Sequence, residues 1–137
     1  YYGCKRNIIH NKKREPGMIF IGTDIVPISR IDKMIQEKGE YFLDHIFSKI
    51  EQNICNAKIS SSIHYSGKFA AKEAVKKAIL SSKSVLNIPL SSIEIENDKD
   101  GMPLVQIRAN GFDFIHVKVS ISHEGDYAIS TAILELK

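Results

Sequence analysis

Apolar positions change their period twice along the chain, and each change marks a different kind of element. Met18 to Ile25, in MIFIGTDI, reads as a buried strand, with Met18, Phe20, Gly22 and Asp24 alternating onto one face. Pro16-Gly17 is a breaker pair directly ahead of it and sets the domain start at Met18. Residues 28–38 then carry Ile28, Ile31, Met34 and Ile35 at helical spacing. A second helical stretch, about 40–57, places Tyr41, Phe42, His45, Ile46, Ile50 and Ile54 on apolar faces. The clearest helix is 66–80, SGKFAAKEAVKKAIL, with Ser66 as its candidate N-cap. From Leu90 the period falls to two: Ile93 and Ile95 alternate with acids, and DKDG (98–101) is a hairpin turn ahead of PLVQIRA. HVKVSIS (116–122) and YAISTAILEL (127–136) follow, separated by the turn HEGD. Three such segments in series imply an antiparallel sheet, with most helices lying between the first strand and that sheet. The class is α+β.

The length of 137 residues leaves room for one compact domain, residues 18–137, and the hydrophobic fraction of 43% excludes a disordered chain. Charge changes the picture more. The net +3 comes from residues 1–17, where Lys5, Arg6, Lys12, Lys13 and Arg14 face the single acid Glu15. The remaining residues hold 14 basic and 15 acidic side chains. A near-neutral body without an aromatic-basic stacking pattern argues against a nucleic-acid binder. The basic extension reads as a transit-peptide remnant or a disordered leader. No run approaches the ~18 apolar residues of a membrane span. Two cysteines, Cys4 and Cys55, give no disulfide framework, so a reducing compartment is expected: the cytoplasm of a bacterium, or an organelle lumen if the extension is a transit remnant.

Few residues could carry chemistry. Asp24 lies on the apolar face of its strand, where a carboxylate needs a cation or hydrogen bonds. The alternative is a cap or Asx turn before Pro27. Glu73 falls near 40° on a wheel with Phe69 at zero and ~100° per residue, between apolar neighbours. The competing explanation is a surface pair with Lys77 at i,i+4. Lys68, Lys72, Lys76 and Lys77 make the same helix basic, as a phosphate ligand would require and as a solvated face would also show. His123, at a strand end, is either a phosphate donor or an ordinary surface histidine. The other histidines share no zinc spacing with it, and HExxH, P-loop and GxGxxG patterns are absent. Two carboxylates with oxygen ligation suit Mg²⁺, which keeps waters and takes substrate phosphates. Lysines beside them would neutralise the remaining phosphate charge.

GTDIVPISRI (22–31), FLDHIFSKIEQNIC (42–55), GKFAAKEAVKKA (67–78), IEIENDKDGMP (93–103) and VSISHEGDYA (119–128) occur in this order. Together they resemble holo-acyl-carrier-protein synthase, the small type of 4'-phosphopantetheinyl transferase. The resemblance implies that family's fold, an antiparallel sheet against helices including one long helix. It implies transfer of the 4'-phosphopantetheine arm from coenzyme A to a serine of acyl carrier protein, releasing adenosine 3',5'-bisphosphate, in fatty-acid biosynthesis. By position Asp24 and Glu73 would hold Mg²⁺, and Lys77 would stabilise the pyrophosphate or protonate the leaving group. Lys68, Lys72 and His123 would contact coenzyme A, and Gly101 and Pro103 would line its nucleotide side. Arg30 would engage the acidic carrier protein, with Met34 and Phe42 as apolar contacts. A homotrimer with active sites between subunits is implied too, so that His123 and Asp24 could meet across an interface.

The chain departs from the family pattern in places. Lys68 stands where Arg is usual, so a bidentate phosphate contact is lost there. Leu80 replaces a glycine, and the loop that follows becomes SSKSVLNIP. The base that activates the serine is left open among Glu73, Asp24 and a metal-ordered water. The alternative function is a non-catalytic module that binds an acidic carrier protein through its lysines.

Overall fold

A computed structural model of the chain describes residues 15–137, so most of the basic extension lies outside the described residues. Gly17 already donates its N–H to the Leu136 carbonyl, and Met18 accepts from the Leu136 N–H, which ties the domain start to the last strand.

Strand β1 (Ile19–Pro27) lies at one edge of a three-stranded antiparallel sheet. Strand β5 (Tyr127–Leu136) fills the middle and β4 (Ile115–Glu124) the other edge. Strands β2 (Ile93–Asn97) and β3 (Pro103–Ile107) pair separately as an antiparallel hairpin. The period-two reading holds in β5, where Ala128, Ser130, Ala132, Leu134 and Leu136 are buried and Tyr127, Ile129 and Ile133 are exposed. The strands pair antiparallel throughout, as expected, but are divided between two sheets.

The helices are α1 (Ile28–Lys38), α2 (Glu40–Ile46), α3 (Lys49–Asn56) and α4 (Ser61–Ser81). The stretch 40–57 is therefore two helices and not one. Ser48 breaks it: its side chain accepts from the Glu51 N–H while Glu51 Oε2 accepts from the Ser48 N–H, a complete capping box. Phe47, just before that cap, turns inward and meets Tyr65 edge-on with ring centroids 4.9 Å apart. Helix α4 also begins earlier than the pattern predicts. Ser66 is inside it and donates to the Ser62 carbonyl at 2.6 Å, so it is not the cap.

Helix α4 is 21 residues long and crosses the sheet on one face. Its stripe of Gly67, Ala71, Ala74 and Ala78 permits an unusually close approach. A Cβ on Gly22 would overlap the Ala74 carbonyl oxygen and stand 2.7 Å from the Ala78 nitrogen. Gly22 is thus the point at which strand and helix touch backbone to backbone. One apolar cluster joins α4 to the sheet and the hairpin through Val75, Ile79, Ile93, Ile95 and Leu134. A second, built on Ile31, Phe47, Cys55, Tyr65 and Phe69, holds the shorter helices. Among the described residues no helix is long and apolar enough to cross a membrane.

Candidate active site

Two residues beyond Gly22, and therefore on the same face of β1, Asp24 turns toward α4. The Lys77 ammonium donates to Asp24 Oδ1 at 2.8 Å and to the Thr23 carbonyl at 2.9 Å. Lys77 thus pairs with the strand carboxylate and not with Glu73 one turn before it. Nor does Asp24 cap a helix: α1 starts at Ile28 with Pro27 as its N-cap and no side-chain cap, and the Ile28 N–H goes to the Asp126 carbonyl. Glu73 is half-buried, next in sequence to the Ala74 that touches Gly22. The glycine contact therefore sets β1 against the part of α4 that bears Glu73 and Lys77. The Asp24–Lys77 pair forms there and Glu73 stands one helical turn before Lys77, residue types that can neutralise and orient a phosphate with the help of a hard cation. Among the described residues no three His, Cys, Asp or Glu side chains cluster as a metal-ligand set. A cation held by Asp24 and Glu73 would have to complete its shell with water or substrate oxygens, which Mg²⁺ does readily.

His123 is still within β4, opposite Ala128, and exposed. It shares the helix-facing side of the sheet with Ile121, which pairs with Ser130, which in turn pairs with Asp24. Two strand spacings and two residues of rise put the Asp24 and His123 backbones roughly 12 Å apart. Gly101 sits in the β2–β3 turn at φ +85°, a conformation that favours glycine. Asp98 Oδ1 closes that turn by accepting from the N–H groups of Asp100 and Met102, both at 2.8 Å. Pro103 starts β3 and lines a cavity of about 520 Å³ between β3 and β4.

Lys68 and Lys72 require correction as ligand contacts. Lys72 is wholly buried; its ammonium pairs with Glu51 at 2.8 Å and donates to the carbonyls of Ile46, Leu90 and Ile93. Glu51 Oε1 accepts from the Ile95 N–H at 2.8 Å, so the pair joins α3, α4 and β2. Lys68 is turned the same way, donating to the Ile95 carbonyl at 2.6 Å and to Asn97 Oδ1 at 3.2 Å. Burial pushes both ammonium groups below the usual lysine range, with Glu51 opposing the effect at each. On a helix packed on several sides, these lysines face β2 and not solvent. The capping pattern S-x-x-E at 48–51 was the available signal for Glu51, since it places that carboxylate back over the helix start; its burial comes from Lys72 and the Ile95 N–H.

The family model described as the 4'-phosphopantetheinyl transferase superfamily matches residues 20–132, from β1 into β5. The chain belongs to that superfamily. It is 39% identical over 116 residues to a holo-[acyl-carrier-protein] synthase of Protochlamydia amoebophila, covering 82% of this chain and 94% of the relative. A holo-[acyl-carrier-protein] synthase of Thermodesulfovibrio yellowstonii is 36% identical over 114 residues, covering 83% and 96%. A crystal structure of Helicobacter pylori holo-[acyl-carrier-protein] synthase in complex with coenzyme A superimposes with a TM-score of 0.70 at 30% identity, covering 85% of this chain and 99% of that one. Asp24, Glu73, Lys77 and His123 all lie within the span matched to the transferase superfamily.

Of the three residues expected to meet a carrier protein, two reach the surface. Arg30 is exposed, its guanidinium 6.0 Å from the Phe69 ring centroid, and Met34 is half-buried over the second cluster. Phe42 is a correction: it is buried edge-on against Phe47 in this member of the transferase superfamily, because α2 ends at Ile46 and folds its apolar face into the core.

Proposed function

We propose that the chain transfers the 4'-phosphopantetheine arm of coenzyme A to a serine of apo acyl carrier protein, for fatty-acid synthesis. The observation that carries this is the Asp24–Lys77 pair beside Glu73, in a chain of the transferase superfamily whose relatives are holo-acyl-carrier-protein synthases. The serine oxygen attacks the β-phosphorus of coenzyme A, and adenosine 3',5'-bisphosphate leaves. Asp24 and Glu73 hold Mg²⁺, which supplies charge neutralisation at the pyrophosphate when bound. Lys77 faces the same phosphates and stabilises the charge that accumulates on the departing one. The serine proton is taken up on the carboxylate side. His123 contacts a coenzyme A phosphate, and the Gly101–Pro103 turn lines the nucleotide. Arg30 and Met34 meet the acidic carrier protein.

The working form we propose is a homotrimer with active sites between subunits. Supporting it, the solvent side of the three-stranded sheet carries Ile21 and Ile25 at 60% and 59% exposure, paired in register with Ile133 and Ile129 at 50% and 44%. A contiguous apolar sheet face of this kind marks an interaction surface. Sizing of the intact chain in solution should give three protomers, and a monomer at working concentration would contradict the assembly.

Asp24→Ala and Glu73→Ala should each lower transfer by at least a hundredfold while the protein keeps its cooperative unfolding. Full transfer by either variant would remove that carboxylate from the site.

A further inference from the structure

His64 belongs to none of the groups described so far, yet α4 carries it to the end of β4 that bears His123. The helix lies close over the sheet along the stripe Ala78, Ala74, Ala71 and Gly67, and at Gly67 an added Cβ would stand 3.0 Å from Ile121 Cγ2. His64 is the next position of that stripe, one turn beyond Gly67. His123 is the next helix-facing position of β4 beyond Ile121. Both imidazoles are exposed where the helix overhangs the strand end, near enough for His123 to act electrostatically on His64.

The surroundings of His64 are cationic. Burial, then Lys58, His123 and Lys68, all push its imidazole below the usual histidine range. Lys58 precedes α4, Lys68 is on α4 itself, and His123 faces it from β4. The nearby acids are directed elsewhere: Asp32 of α1 accepts from Ser62 and Gln36, and Ser62 is on the opposite side of α4 from His64. Glu124 is on the outer face of β4. Two imidazoles and a lysine without a carboxylate form a site that is repulsive when empty and is relieved by a dianion.

We infer that His64 and His123 together clasp the 3'-phosphate of coenzyme A. The inference rests on the transferase reading above and adds the residue that reads this group. The pyrophosphate has its own partners in Asp24 and Glu73 with their cation, and in Lys77. The 3'-phosphomonoester is the remaining charge on the substrate. It is dianionic near neutral pH and takes two N–H donors. His64 thereby distinguishes coenzyme A from dephospho-coenzyme A, and its contribution strengthens as pH falls toward 6.

His64→Gln should raise KM for coenzyme A about tenfold at pH 6.5 with kcat little moved, and less at pH 8. Its KM for dephospho-coenzyme A should match that of the unsubstituted protein. In that protein, adenosine 3',5'-bisphosphate should raise the pKa of both histidines by NMR, and adenosine 5'-monophosphate should not. An unchanged KM for coenzyme A, or an equal rise with both substrates, would overturn the clasp. So would a bisphosphate titration that leaves His64 unmoved. If His123→Gln raises KM and His64→Gln does not, only this inference fails. If the unsubstituted protein transfers nothing, the reading beneath it fails as well.

Discussion

Lys72 and Lys77 are five residues apart on one helix and do opposite things, because the helix is buried on one flank and open on the other. Lys77 reaches Asp24 at the surface, whereas Lys72 and Glu51 have no exposed side-chain area at all. Replacing Lys72 by Met would leave the Glu51 carboxylate buried without its cation, held only by the Ser48 and Ile95 N–H groups. Lys72→Met should cost about 3–5 kcal/mol of unfolding free energy, measured by urea denaturation. A loss below ~1 kcal/mol would mean that the pair is not what joins α3, α4 and β2. Asp24 was legible from sequence because an acid in a period-two apolar run has few destinations. Lys72 was not, because AAKEAVKK reads as a solvated lysine face whenever the partners packed on it are unknown. Phe42 was misread for a related reason: an aromatic on a short amphipathic helix looks the same whether it meets the core or a partner.

At the scale of elements, the β1–α4 contact is what assembles the site. Gly22→Ala would drive a methyl group into the Ala74 carbonyl and the Ala78 nitrogen, both backbone atoms that cannot rotate away. The variant should lose about 2–3 kcal/mol of stability and, as α4 moves off β1, most of its transfer activity. Urea unfolding and a transfer assay check both, and a Gly22→Ala protein of unchanged stability would contradict the close packing. Period-two strands and the amphipathic α1 were readable because each has one face in the core. The ends of α4 and the break at Phe47–Ser48 were harder. Its first turns, SSIHY, mix polar and apolar residues and gain their helical state from Tyr65, whose hydroxyl donates to Asn56 Oδ1 at 2.8 Å. Tertiary partners decided what propensity left open.

At the scale of the molecule, charge and shape separate. Two of the lysines that suggested a polyanion ligand, Lys68 and Lys72, are spent inside the fold. At the surface the charges that bear on the site are Lys77 on Asp24, His123 with His64 nearby, and Arg30 over Phe69. The antiparallel architecture and the turn of Asp24 toward a cation followed from the sequence. The division into two sheets and the exposed isoleucine face of the larger one needed the register of β1 on β5. That face and the separation of Asp24 from His123 both fit a site completed by a neighbouring subunit.

The proposed reaction is a single covalent event on another protein. The direct measurement is the intact mass of apo acyl carrier protein after incubation with this chain, coenzyme A and Mg²⁺. The carrier should gain one phosphopantetheine arm, with adenosine 3',5'-bisphosphate released in equal amount and the gain lost on chelation of the metal. A carrier of unchanged mass, bound or unbound by the chain, would contradict it.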